Sequence, residues 1–199
     1  MIILASRNAH KLTEVREILQ PLVPELDGID GAPDDIPEPV EDGRTFAENA
    51  AMKAQQIALG LGVPAIADDS GLCVDIMGGA PGIFSARWAG RHGDDLANLH
   101  LLLNQLDDVK GEDRTARFVC AAALALPDGT VVVEEGEMAG TLRYEPVGEG
   151  GFGYDPIFQP DGHDVTTAQL APEEKNAISH RRKAFEALAP HIQRALEAE

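Results

Sequence analysis

"MIILASRNAHKLTEVREILQPL", residues 1–22, sets a short apolar run, Ile2 to Ala5, ahead of a polar stretch and then a segment of helical period. Leu12, Val15, Ile18, Leu19 and Leu22 recur near helical spacing. That spacing makes one face apolar and predicts an amphipathic helix ending around Pro21. A buried strand, a loop and a helix in this order predict an α/β protein.

The same alternation continues outward. Asp27 to Asp42 is rich in Gly, Pro and Asp and reads as a long loop. "TFAENAAMKAQQIALGLG" follows as a helix, with Thr45 and Glu48 at capping-box spacing and Gly60 or Gly62 as its end. "PAIADDSGLCVDI", residues 64–76, is strand-like on both sides of an aspartate pair. "MGGAPGIFSARWAG" is a glycine-rich loop and "DDLANLHLLLNQL" another amphipathic helix. Two strands meet at Pro127-Asp128-Gly129, a hairpin signal. "VGEGGFGYDPIF" is a second glycine-rich loop, and from Pro172 the composition is helical, with Ser179 suited to an N-cap.

With 199 residues, 44% of them hydrophobic, the chain has material for a real core. No Pro/Ser-rich linker divides it, so residues 1–199 are expected to form a single domain, possibly two-lobed around a cleft. A net charge of −18 argues against a protein that coats nucleic acid, because phosphate backbones recruit Lys and Arg. A local basic site or a bound cation still allows a small phosphorylated ligand. Cys73 and Cys120 lie in apolar runs and are expected to be buried free thiols. The apolar start is too short for a signal peptide or a membrane span, so a soluble, cytoplasmic protein is expected.

Chemistry-bearing residues recur at the element boundaries. "SRNAHK", Ser6 to Lys11, offers a helix start, hydroxyl and amide groups and a lysine, all suited to phosphate, although taken alone it reads first as an ordinary capped helix with a solvent-facing lysine. It lacks the Walker A pattern. Asp68 and Asp69 are adjacent, and on a strand adjacent side chains point to opposite faces. Carboxylate oxygens suit Mg²⁺, which combines one or two carboxylates with waters and substrate phosphates; a solvated turn pair is as good a reading. Glu41 and Asp42 on the preceding loop offer further carboxylates. Lys53 shares the helix of Glu48, itself accounted for by capping. In "GEGGFGYDPIF", glycines let a ligand approach the backbone, Phe152 or Tyr154 offers a stacking ring, and Asp155 a hydrogen-bond acceptor. "EEKNAISHRR" concentrates Lys175, His180, Arg181 and Arg182 against the global charge, which suggests an anionic ligand. Together these features describe a nucleoside triphosphate with Mg²⁺.

"SRNAHK", "FAENAAMKA", "AIADDSGLCVDIMGGAPGIFSARW", "GEGGFGYDPIF" and "EEKNAISHR" resemble, in order, the successive signatures of the inosine triphosphate pyrophosphatase family. The match runs over nearly the whole chain. It implies an elongated two-lobed α/β fold with a long central mixed sheet flanked by helices, a nucleotide cleft between the lobes, and a homodimer. It also implies Mg²⁺-dependent hydrolysis of deaminated purine triphosphates (ITP, dITP, XTP) to monophosphate and pyrophosphate, cleansing the nucleotide pool. Carried over residue by residue, Ser6, Arg7, Asn8, Ala9, His10 and Lys11 would bind triphosphate, with Lys53 and Arg87 as further phosphate contacts. Glu41 and Asp69 would be associated with Mg²⁺, and Asp69 would be the proton acceptor. Ser70 would touch substrate. Phe152, Gly153, Tyr154 and Asp155 would hold the base, with Phe152 stacking. Lys175, His180 and Arg181 would complete the base and phosphate site. The first motif departs from the family pattern at Ser6-Arg7, where Thr-Gly is usual; Ser6 keeps the hydroxyl.

In this reading Asp69 helps a water attack the α-phosphorus while basic groups and Mg²⁺ screen the phosphates. Discrimination against ATP rests on donors that pair with a 6-oxo purine and are left unpaired by adenine. Backbone N–H groups of the second glycine-rich loop, or Arg181, are the expected donors. Two alternatives remain: a pyrophosphatase for other modified nucleotides, and a non-catalytic nucleotide-binding protein.

Overall fold

Strand β1 (Ile2–Leu4) is three buried apolar residues, and it pairs in parallel with a strand on each side. In the computed structural model, which describes residues 2–34, 36–37 and 39–197 and, among them, all side chains but that of His10, the chain is α/β. Its six strands form one mixed sheet in the order β2-β1-β3-β4-β5-β6. Strand β2 is Ile29–Gly31, β3 Ala65–Val74, β4 Thr115–Ala125, β5 Val131–Leu142 and β6 Phe158–Pro160. The helices are α1 (Ala9–Leu19), α2 (Phe46–Leu61), α3 (Asp95–Gln105), α4 (Pro172–Ile178) and α5 (His180–Glu197). The β1–β2 and β1–β3 pairs are parallel and the β5–β6 pair antiparallel. Among the described residues no helix is long and apolar enough to cross a membrane.

The chain divides into two compact units. The first comprises Met1–Asp69, Cys120–Gly136 and Arg181–Glu199. Its core joins Ile2 and Leu4 of β1, Ile18 and Leu19 of α1, and Ile66 of β3 to Leu124, Phe185 and Leu188. Each fully buried residue of this size contributes about 1.5–3 kcal/mol relative to exposure. The periodicity read from residues 12–22 is the stripe that α1 turns inward: Val15, Ile18 and Leu19 are buried, whereas Leu22, beyond its end, is exposed. Helix α2 starts at N-cap Thr45, whose hydroxyl accepts from Glu48 N, and ends at Gly62 in the left-handed region. Glu48 completes the cap one residue upstream of the expected place, accepting from Arg44 N at 2.7 Å.

The second unit comprises Ser70–Val119 and Glu137–His180. Leu72, Val74, Leu99, Leu102, Ile157 and Phe158 form its core. Arg114 is buried within it, donating to the carbonyls of Leu106, Leu142 and Arg143. Those three bonds satisfy a charge that would otherwise be costly to bury. Cys73 and Cys120 are buried free thiols.

Two features depart from the sequence expectation. The long Asp27–Asp42 loop contains β2, whose three residues are too few to show a period; only Ile29 is buried there. The second glycine-rich loop runs into β6, fixed by pairing with Gly140–Leu142 rather than by its own pattern. The basic C-terminal segment, helical as expected, forms α4 and α5, with Ser179 extended (φ −65°, ψ 145°) immediately before α5.

Candidate active site

The order β2-β1-β3 fixes where the first unit gathers its polar side chains. The chain crosses from β1 to β2 on one side and then returns to β3 on the other. At such a reversal the carboxyl ends of the strands leave a crevice, the usual ligand position in open α/β sheets. Leu4 is in register with Ile66, so β3 runs past the end of β1 and carries Asp68 and Asp69 beyond it. The segment Ser6 to Lys11 leaves β1 at the same end. It is tightly turned: Asn8 N donates to Ser6 Oγ at 3.2 Å, and Asn8 Oδ1 accepts from Lys11 N at 3.1 Å. Asn8 thereby caps α1, whose first residue is Ala9. The side chain of His10 lies outside the described part. Arg7 reaches the other way, donating to the carbonyls of Pro33, Asp34 and Ile36.

The strand separates the two aspartates. Asp68 is sequestered, its side chain 1% exposed. Lys11 Nζ lies 2.9 Å from Oδ1, Arg181 Nε donates to Oδ2 at 3.1 Å, and the Cys120 thiol lies 4.0 Å from Oδ2. Burial by itself pushes this carboxyl up, but the charges of Lys11, Arg181 and Lys53 outweigh it and hold it well below the usual carboxylate range. Asp68 is the counter-ion of two cations, Lys11 and Arg181. Arg181, itself buried, also donates to Glu14 Oε2 at 2.7 Å.

Asp69 is 14% exposed and has other neighbours. Its Oδ2 accepts from Asn49 Nδ2 at 2.9 Å, and its Oδ1 lies 3.5 Å from Lys53 Nζ. The same ammonium donates to Glu41 Oε1 at 2.8 Å. Burial raises the Asp69 carboxyl above its usual value; Lys53 and Asn49 pull it down, while the nearby charges of Glu41 and Asp68 add to the rise. Lys53 is also raised: burial lowers it, and the surrounding carboxylates, Asp69 first, more than compensate. Adjacent acids pushed in opposite directions mark division of labour between them.

Among the described residues, no three His, Cys, Asp or Glu side chains converge as a preformed metal cage. Glu41 and Asp69 do converge on one cationic group, the Lys53 ammonium. Two carboxylates around one positive position fit Mg²⁺, which takes its remaining ligands from water and phosphate.

The second unit holds the remaining expected residues. Phe152 is 67% exposed, an unusual state for a phenyl ring, with Lys175 Nζ 5.0 Å from its centroid. Beneath it Asp155 is buried and fully engaged. Its Oδ2 accepts from Phe152 N at 2.8 Å and from Lys175 Nζ at 2.5 Å, and its Oδ1 accepts from Thr167 Oγ1 at 2.8 Å. Gly151 is left-handed (φ 71°), and a Cβ there would fall 2.1 Å from Asp155 Oδ2. The loop therefore folds over its own carboxylate. Gly153 N donates to Asp95 Oδ2 at 3.0 Å, so two of the loop amides expected to read a base edge already have internal acceptors. Tyr154 is buried, its hydroxyl donating to Ser85 O at 2.8 Å, and burial pushes its phenol up. His180 stacks on Phe118 with centroids 5.1 Å apart. The Arg87 guanidinium stands 5.3 Å from the Phe84 ring centroid, and Ser70 is partly buried in β3.

Sequence reading passed over Asn49, Glu14, Thr167 and Asp95. Asn49 did leave a signal: it is one helical turn before Lys53 and lies on the buried Ala50–Ala54 stripe of α2, where a polar side chain needs a partner. Glu14, Thr167 and Asp95 left none, because their partners are distant in sequence.

A model of the Ham1 family matches residues 2–191. The chain is 60% identical over 197 residues to the dITP/XTP pyrophosphatase of Streptomyces avermitilis and 61% identical to that of Streptomyces coelicolor, covering 98% of both chains in each comparison. The fold superposes on the Staphylococcus aureus Ham1 protein with a TM-score of 0.87, at 40% identity and 98% coverage of both chains. Motif order, topology and near-complete coverage agree: this chain belongs to the Ham1 family, the inosine triphosphate pyrophosphatase family.

Proposed function

We propose that this chain, a hydrolase of phosphoric anhydrides like its relatives, cleaves deaminated purine nucleoside triphosphates (ITP, dITP and XTP) to monophosphate and pyrophosphate, with Mg²⁺, in the cytoplasm and as a homodimer. The observation that carries the reading is the contrast between Asp68 and Asp69. A sequestered acid ion-paired to two cations, beside a partly reachable acid held by Asn49 and Lys53, is the arrangement that supports proton transfer at one position.

Asp69 is the proposed proton acceptor, drawing a proton from the water that attacks the α-phosphorus. Asn49 and Lys53 hold its two oxygens in fixed directions, so little reorganisation accompanies the step. Glu41 and Asp69 would hold Mg²⁺, which supplies charge neutralisation to the phosphates when bound. Lys11, Lys53 and Arg87 are the proposed phosphate contacts, with the turn of Ser6, Arg7, Asn8, Ala9 and His10 at the start of α1. Phe152 stacks on the base, and Gly153, Tyr154 and Asp155 keep its loop in shape. Ser70, Lys175, His180 and Arg181 complete the substrate contacts. Lys175 carries three N–H donors and spends one on Asp155, so it is the better candidate donor to a 6-oxo group than the Phe152 and Gly153 amides.

The test is hydrolysis of ITP, dITP, XTP, ATP, GTP and a pyrimidine triphosphate, with and without Mg²⁺, read as pyrophosphate release. Fast turnover of the deaminated purines with Mg²⁺ is expected. Equal rates on ATP and ITP would remove the specificity, a preference for a modified pyrimidine would redirect it, and binding without turnover would make the chain a nucleotide-binding protein.

A further inference from the structure

Asn49 is completely buried in the first turns of α2, and both ends of its amide are used. Its Oδ1 accepts from Gly43 N at 2.9 Å, and its Nδ2 donates to Asp69 Oδ2 at 2.9 Å. The orientation follows from the partners, since a backbone N–H only donates and a carboxylate only accepts. Gly43 is two residues after Glu41. Lys53, one helical turn after Asn49 on the same face, binds Glu41 Oε1 and lies near Asp69 Oδ1. Asn49, Asp69, Lys53, Glu41 and the backbone to Gly43 thus close a ring.

A second observation concerns space. A Cβ on Gly43 would fall 2.5 Å from Asn49 Oδ1 and 2.9 Å from Glu48 Cβ. The loop that carries Glu41 is pressed against α2 as closely as a glycine permits.

We infer that Asn49 is a positioning residue: its amide sets the separation of the Glu41 loop from Asp69 and turns the Asp69 carboxylate so that Oδ1 is the oxygen left toward Lys53. The inference rests on the activity proposed above for its catalytic consequence, but not for its geometry. The two hydrogen bonds do separate work. The Gly43 bond holds the loop, and the Asp69 bond holds the carboxylate.

The experiment uses the full chain with Asn49→Asp, Asn49→Ala and Gly43→Ala, measuring kcat and KM on dITP with Mg²⁺, amide hydrogen exchange at Gly43, and the melting temperature. Asn49→Asp keeps an acceptor for Gly43 N but sets oxygen against the Asp69 carboxylate. It is expected to keep Gly43 protected and KM within about threefold, while kcat falls roughly 100-fold, the scale of a misplacement near 1 Å. Asn49→Ala is expected to lose kcat similarly and to lose Gly43 protection. Gly43→Ala is expected to lower kcat with Asn49 intact. Asn49→Asp with kcat within twofold of the parent overturns the inference, as does a fall in kcat matched by an equal rise in KM. Should Asn49→Ala fail to fold, the other two variants decide. Should the parent not hydrolyse dITP, the functional reading fails, while the exchange of Gly43 in Asn49→Ala and Asn49→Asp still decides the loop-holding half and the Asn49 Nδ2–H resonances decide the carboxylate half.

Discussion

On one side of β3, Asp68 is shut between Lys11 and Arg181; on the other, Asp69 shares one oxygen with Asn49 and leaves the second near Lys53, with Glu41 on the same ammonium. The residue type is the same and the positions are consecutive. What differs is the count and closeness of the cations. Asp68 has two within 3.1 Å and stays ionised despite complete burial. Asp69 has one at 3.5 Å, shared with a rival carboxylate, and its pKa rises. The period of two along a strand therefore lets one dipeptide bury one carboxylate between two cations and leave the next partly reachable.

The comparison breaks first if the two acids prove interchangeable. Asp69→Asn is expected to lower kcat by about 10²–10⁴-fold, the usual contribution of a general base, with little change in melting temperature. Near-normal turnover would reject Asp69 as proton acceptor. Asp68→Asn is expected to act on stability instead, costing roughly 3–5 kcal/mol in urea unfolding because two cations lose their counter-ion. A cost below about 1 kcal/mol would mean that the pairing is not what holds Asp68.

Acid titration sharpens the contrast through its sign. The folded value of Asp68 lies below the ordinary value near about 4, so its stabilisation is complete above that pH and is lost as pH falls through the folded value. Asp69 is shifted the other way: its ionised form opposes folding at neutral pH, and that opposition disappears on acidification. Unfolding free energies measured from pH 7 downward should therefore fall less steeply below about pH 4 in Asp68→Asn than in the parent. Parallel curves would contradict the assignment. The smallest expected effect is that of Glu14→Gln, about 1 kcal/mol or less, with kcat unchanged. A larger loss would shift the anchoring of Arg181 from Asp68 to Glu14.

Much of the fold could be read from local pattern. The β1–α1 start, the cap of α2 at Thr45 and the Pro127-Gly129 hairpin are encoded by neighbours in sequence, and each forms. Strands β2 and β6 were hidden because three residues carry no period and their existence depends on a partner. In the site, the residue types at Glu41, Lys53 and Asp69 pointed to a charged cluster, and Glu41, Lys53 and Asp69 do meet. The fate of Asp68 was out of reach. Its deciding partner is Arg181, and no periodicity links positions so far apart. The reverse holds for the Phe152 and Gly153 amides: glycine content signalled an accessible backbone, but Asp155 and Asp95 take those donors.

The Asp68–Arg181 pair spans 113 residues and the Glu14–Arg181 pair 167. During synthesis β1, α1 and β3 emerge long before α5 supplies Arg181, Phe185, Leu188 and Ile192. Without α5 the core of the first unit lacks Phe185, Leu188 and Ile192, and Asp68 lacks the Arg181 cation. Contacts this distant slow folding far more than they weaken the finished protein. One element, α5, thus supplies both the apolar residues that close the core of the first unit and the second cation of Asp68.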